Sequence, residues 1–179
     1  MTVDEAQHDM RRSYLSGAPG MLASALAWLV AGVIALEVSA SSAVLTLFAG
    51  GMLIHPVGVL LCKALGRTGK HTKENPLGAL ALESTGWLLL CLPLTYAVSQ
   101  FNVKWFFPAM LFVIGGRYLT FRTLFGLRIY WACGAALALA GYLLAASKAQ
   151  PYVGAFAGAA VEAAFAIAIL MRAERATAV

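Results

Sequence analysis

The sequence predicts an all-α, polytopic membrane protein with six transmembrane helices and both termini in the cytoplasm. Three observations carry that expectation. Of 179 residues, 61% are apolar and only 12% charged, with a mean hydropathy of +0.79, where soluble domains carry about a quarter charged residues. Six windows near the roughly 20 apolar residues that a bilayer-crossing helix needs follow one another with only short connectors. The Lys and Arg residues also gather in alternate connectors, as the positive-inside rule requires.

Residues 1–17 are expected to form a cytoplasmic N-terminal segment. Asp4 and Glu5 open it and Arg11 and Arg12 close it, the charge order a helix dipole favours. Ala6, Met10 and Tyr14 recur at helical spacing. A short interfacial helix fits this pattern, and so does a disordered tail. Early acids followed by a long apolar run do not fit a cleavable signal peptide.

A single six-helix domain is expected over residues 18–172. The first span covers about 19–38, with Pro19 tolerated in a first turn. Ser39, Ala40, Ser41 and Ser42 then turn the chain into a second span at about 43–63. A polar connector carries Arg67, Lys70 and Lys73. Asn75 is expected to cap the third span, at about 76–98, with Pro76 in its first position. Within that span Pro93 deprives the Leu89 carbonyl of its usual partner. The fourth span, about 104–123, begins at Trp105, Phe106 and Phe107, which read as an interfacial aromatic belt. The fifth and sixth cover about 127–147 and 151–171, and 173–179 is a cytoplasmic tail.

Orientation follows from the cations. With the N-terminus inside, Arg11, Arg12, Lys63, Arg67, Lys70, Lys73, Arg122, Arg128, Arg172 and Arg175 are cytoplasmic, and only Lys104 and Lys148 are outside. Arg117 falls within a span.

Several chemistries are disfavoured. A net charge of +5 does not point to nucleic acid, because the cations sit in connectors and not on one face of a soluble module. Cys62, Cys91 and Cys133 all lie inside spans and read as small packing residues. No H-E-x-x-H, metal cage, phosphate loop or framed serine nucleophile is present. The sequence therefore names no catalytic residue, no metal and no cofactor.

Ionisable groups at mid-span cost roughly 2.5 to 3.5 kcal/mol by insertion scales, so each must be paired, snorkelled or hydrated. His55, Glu83, Arg117 and Glu162 are the ones to explain. At 1.5 Å rise per residue they lie about 12, 10, 9 and 13 Å from the cytoplasmic ends of their helices. Four spans thus bring one such group each to a similar level, which predicts an interior cluster that binds a substrate or ion. Gly115 and Gly116 would let a neighbouring helix or water approach Arg117, and Pro56 frees the Met52 carbonyl beside His55.

Each residue also has a plainer reading. Arg117 can snorkel to headgroups beside Arg122, Glu83 can reach the interface near Lys73 or Arg128, and His55 can be a core histidine bonded to a carbonyl. Gly154 and Gly158 form GxxxG, a motif for close helix contact or a homo-oligomer. Trp28 and Trp87, both mid-span, either pack in the core or line a cavity.

The run GAPGMLASALAW (Gly17 to Trp28), G-x-x-x-H-P-x-G (Gly51 to Gly58), NPLG (Asn75 to Gly78) and GGRYLTF (Gly115 to Phe121) resembles an uncharacterised family of small bacterial six-helix integral membrane proteins. The resemblance implies the fold and a place in the bacterial cytoplasmic (inner) membrane, and brings no activity with it. Three functions then compete. One is a transporter or channel for a small solute, cation or proton, with its halves arranged as an inverted repeat. The second is a structural or interaction subunit of a membrane complex. The third is a lipid-modifying enzyme using Glu83 and Glu162 as paired carboxylates.

Overall fold

The structure, a computed structural model, describes the backbone of residues 1–177 and the side chains of residues 1–173. The described fold is all-helical: α1 (Val3–Tyr14), α2 (Ala18–Glu37), α3 (Ala40–Ala64), α4 (Leu77–Phe101), α5 (Phe106–Phe125), α6 (Ile129–Ala146) and α7 (Pro151–Thr177), with short 3₁₀ turns before α2 and α5. The predicted tail continues α7 as far as Thr177; Ala178, Val179 and the side chain of Arg175 lie outside the described residues.

Helix ends follow local chemistry. Ser39 accepts the Ser42 amide at 3.0 Å to start α3, and Gly126, at φ 71°, supplies the left-handed residue that stops α5. The Asn75 side chain accepts the Leu77 amide at 3.0 Å, so the predicted cap is made, with α4 beginning one residue later than expected.

Five segments are long and apolar enough to cross a membrane: α3, α4, α6, the first 23 residues of α7, and the run Val3–Glu37 that ends in α2. The sixth long helix, α5, carries Arg117 and Arg122 and is less apolar. Its neighbours explain why this is tolerated, since α4, α6 and α7 pack around it and α1 covers its last turn.

The long helices form two layers of three, α3–α2–α7 and α4–α5–α6, joined where α6 and α7 pack together. The last helix thus joins the first two. The expected division into sequential halves, three spans facing three, is not how the bundle packs.

Small residues set the approach distances. A Cβ on Gly115 would stand 2.8 Å from the Gly134 carbonyl on α6, and one on Gly58 would stand 3.0 Å from Gly20 on α2. Gly154 and Gly158 are filled from within the chain, by Phe107 and Trp28. They offer no face to a second copy, which corrects the expected oligomer contact. The same packing corrects the aromatic belt: Phe106 and Phe107 are wholly buried and Trp105 alone is half exposed.

α4 shows how the chain meets its surroundings. Ser84, Cys91, Thr95 and Ser99 are its buried residues, while Leu82, Leu90, Leu94 and Phe101 are 68% to 92% exposed. Small polar groups face protein and large apolar ones face outward, the pattern expected where the surroundings are lipid. Trp87 is exposed too, so of the two mid-span tryptophans only Trp28 is core.

The N-terminal segment is a well-formed helix with a reciprocal Thr2/Glu5 capping box. Its apolar residues face the bundle and not a lipid surface, for Ala6 and Met10 are buried. Gln7 donates to the Thr123 carbonyl at 2.8 Å and Arg11 to the Phe125 carbonyl at 2.7 Å, satisfying the last turn of α5. Asp9 accepts from the Thr72 amide and hydroxyl and from Asn75, at 2.8 to 3.0 Å. Burial pushes the Asp9 carboxyl up, but these hydrogen bonds from Asn75 and Thr72 outweigh it and hold the group below its ordinary range. Between α1 and α2 the chain turns through three left-handed residues, Leu15, Ser16 and Gly17, and the buried Tyr130 hydroxyl donates to the Ser16 carbonyl.

Candidate functional site

Glu162 lies on α7 among Ala155, Gly158, Ala159 and Ala166, all buried. Residues this small let α2 and α6 close around the helix, so Glu162 is fully buried, with 0% of its surface exposed. The Tyr118 hydroxyl donates to its Oε1 at 2.9 Å, and the buried Ser24 of α2 stands beside the same carboxylate. Oε2 has no hydrogen-bond partner.

Tyr118 and Arg117 are neighbours on α5, about 100° apart around the helix, and their side chains diverge. Tyr118 turns to α7. Arg117 turns to α4, where its Nη2 donates to the Thr85 hydroxyl at 3.2 Å and its guanidinium lies 5.3 Å from the Phe121 ring centre. Its Nε is buried without a partner. Arg117 feels the field of Glu162, but no ion pair joins them. The α4–α5 contact beside it is polar as well: Thr120 donates to the Arg117 carbonyl at 2.7 Å and pairs with the Ser84 hydroxyl at 3.0 Å.

Below the carboxylate runs an aromatic column. Tyr118 stacks on Tyr130 at 5.9 Å, and Tyr130 stacks on Phe125 at 5.5 Å. Because Tyr130 also holds Ser16, the column connects the buried acid to the α1–α2 junction.

The four-residue cluster expected from the sequence does not form. Glu162 lies in the interior of the fold and Arg117 is partly buried between α4 and α5, whereas His55 on α3 and Glu83 on α4 are both exposed on the outside of the bundle. Depth along a helix leaves rotation about it undetermined, and rotation is what places a side chain inside or out. For the same reason Glu83 and Glu162 do not form a carboxylate pair. Tyr118, Ser24 and Thr85 replace the missing members. Tyr118 is adjacent to Arg117 in a span, but nothing in the sequence separates it from Tyr96, Tyr130 or Tyr142.

Two surface clefts stand out. One, of about 490 Å³, lies along α1 and is lined by Asp4, Glu5, His8, Asp9, Arg11 and Arg12. The other, of about 230 Å³, is at the far end, beside Lys104, Trp105 and Lys148. Neither is lined by Glu162 or Arg117. Cys62, Cys91 and Cys133 are free and buried, and among the described residues no group of His, Cys, Asp and Glu is arranged to hold a metal ion.

A family of unknown function, DUF7010, matches residues 3–172. The chain belongs to that family, in agreement with the resemblance to an uncharacterised family noted from its motifs. No curated protein and no solved structure matches it.

Proposed function

We propose that this member of a family of unknown function is a small carrier or channel for a cation or proton, in which Glu162 is the ion-binding group. The observation that carries this reading is the state of that carboxylate: wholly buried, with one oxygen bonded to Tyr118 and the other unbonded. Buried polar atoms are nearly always satisfied, so an unsatisfied acceptor in an interior calls for a ligand or a task. An ionisable residue inside a membrane bundle is a functional candidate for the same reason. Glu162 also lies where α7 meets the second helix layer, the kind of seam across which carriers rearrange.

Arg117 supplies the compensating charge. Held on Thr85 and over Phe121, it keeps the interior near neutrality when Glu162 is ionised without closing an ion pair that would block the second oxygen. A proton or small cation arriving at Oε2 gains an acceptor that the fold already holds in place. The basic end of the bundle, which carries α1 and the 65–76 connector, is then cytoplasmic by the positive-inside rule. The setting that goes with the family resemblance is a bacterial inner membrane.

The test is flux. Purified protein in liposomes, with an imposed pH gradient and an internal pH dye, should pass protons or exchange them for a monovalent cation. Glu162→Gln keeps the Tyr118 contact and the fold but abolishes that flux. Flux unchanged in Glu162→Gln removes Glu162 from the mechanism and the proposal with it. An enzyme using paired glutamates has no support from this geometry, because Glu83 is on the outer face of α4. An interaction role has one observation in its favour, the exposed His55 and Glu83.

A further inference from the structure

Glu162 is sealed off from both ends of the bundle, and the two seals differ in kind. Toward the far end, Trp28 of α2 and Phe107 of α5 sit against Gly158 and Gly154 of α7, and both rings are wholly buried between packed helices. Toward the end that carries α1, the space below the carboxylate is filled by Tyr118, Tyr130 and Phe125, none of them more than 5% exposed. What covers the lower two is the α1–α2 junction. Gly17 lies against the Tyr130 hydroxyl and the Phe125 ring, and the 15–17 turn rests on α7.

That cover is attached largely by bonds that water can replace. α1 touches α3, α4 and α5, so it lies across the ends of both helix layers. Asp9 clamps it to Thr72 and Asn75 of the connector between α3 and α4, the Tyr14 hydroxyl is bonded to His71 at 2.9 Å, and Gln7 and Arg11 hold the last carbonyls of α5. All of these are at least partly exposed, and one more, from Asn75 to the Ala6 carbonyl, is buried. Of the four buried residues of α1, Gln7 and Ser13 are polar. Hydrogen bonds exchanged for bonds to water contribute little net, and elements held this way open before a packed core does. The junction is poised as well: Leu15 and Ser16 have φ of 48° and 56°, left-handed values that a non-glycine residue keeps only while its surroundings impose them.

We infer that α1 is the gate of the Glu162 site. Docked, as in this structure, it closes the site; its release, together with the 15–17 turn, uncovers Tyr130 and Phe125 and opens the way past them to the carboxylate. The inference rests on the reading of Glu162 as an ion-binding group and adds how that group is reached.

Cys133 reports on the gate without reference to flux. It is fully buried, stands about one turn beyond Tyr130 on α6 and lies within the field of Glu162. Cys91, buried on α4, is the internal control. Full-length protein with Asp9→Cys and Thr72→Cys, in lipid nanodiscs, is either oxidised, which ties α1 down, or reduced, which leaves it without its carboxylate clamp. A small water-soluble maleimide is added and each cysteine is followed by peptide mass spectrometry. Cys133 should be protected in the parent and in the oxidised form, and modified roughly 10- to 100-fold faster in the reduced form, the factor for losing a charged hydrogen-bond acceptor. Asp9→Ala, which needs no disulfide, should match the reduced form, with Cys91 protected throughout. Equal Cys133 rates in the oxidised and reduced forms, equal rates in Asp9→Ala and the parent, or Cys91 modified as fast as Cys133 would each overturn the gate. Failure of the ion-binding reading shows elsewhere, as flux that Glu162→Gln leaves unchanged.

Discussion

Tyr118 and Glu162 should be coupled far more strongly than their separate losses suggest. Tyr118→Phe keeps the ring stacked on Tyr130 but takes away the hydroxyl that bonds Oε1. Since Oε2 is already without a partner, the wholly buried carboxylate is then left with only the neighbouring Ser24 hydroxyl. A buried charged acceptor losing its donor costs about 1.5 to 3 kcal/mol, so about 2 kcal/mol is expected. Glu162→Leu is the mirror case. It leaves the Tyr118 hydroxyl buried against an aliphatic side chain, at about 1 to 3 kcal/mol. The double variant has an apolar pair of similar volume in place of the Tyr118–Glu162 contact, and should lose much less than the two single losses summed. The coupling energy is then about 2 kcal/mol or more, where independent sites add to within about 0.5 kcal/mol. Reversible unfolding of the purified protein in mixed micelles, titrated with a denaturing detergent, measures all four variants. Additive losses would refute the pairing and, with it, the claim that the interior is organised around this acid.

Other outcomes follow from the same geometry. A Cβ at Gly158 would stand 2.7 Å from the Trp28 ring, whereas one at Gly116 meets nothing within 4 Å. Gly158→Ala should therefore destabilise by about 1 to 3 kcal/mol and shift the emission of the buried tryptophan, and Gly116→Ala should be neutral or stabilising in the same thermal melt. Ser16 has a φ of 56°, a left-handed conformation that costs a non-glycine residue about 1 to 2 kcal/mol. Ser16→Gly should raise stability by about 1 kcal/mol, and a lower midpoint would show that the side chain matters more than the backbone. The Asp9 carboxyl is held below its ordinary 3.8, so its contribution to docking α1 is complete above that value and is lost as pH falls through the folded one. Hydrogen exchange should show α1 protected at pH 6 and released well below pH 4, with Asp9→Ala releasing it already at pH 6. Protection in Asp9→Ala equal to that of the parent at pH 6 would count against the clamp.

Some of the site could be read from the residues alone. Glu162 stands in a run of glycine and alanine, and a chain that surrounds an acid with side chains this small has committed it to a close helix contact, whatever the neighbour. Arg117 behind two glycines is similar. His55 and Glu83 were equally conspicuous, yet they lie outside. Their helices are apolar on nearly every side, so no polar stripe marks an outward face and rotation cannot be inferred from periodicity. α1 shows the converse. Its apolar spacing is plain, but an amphipathic helix has the same pattern whether it rests on lipid or on protein. Only Asp9 meeting Thr72 and Asn75, and Gln7 and Arg11 meeting the end of α5, distinguish the two.

By itself the sequence determined the all-helical class, the number and approximate bounds of the long helices, and the residues whose polarity needs explaining. These follow from hydropathy, capping and proline chemistry, which act over a few residues along the chain. Tertiary structure alone decided that α7 packs with α2 and α6, that Trp28 and Phe107 occupy the glycines of α7, and that Tyr118 and not His55 reaches Glu162. Those outcomes depend on which helix faces meet, and in a bundle whose outside is as apolar as its inside the hydrophobic effect gives no preference among faces. Shape and a few hydrogen bonds choose instead, between residues far apart in the chain.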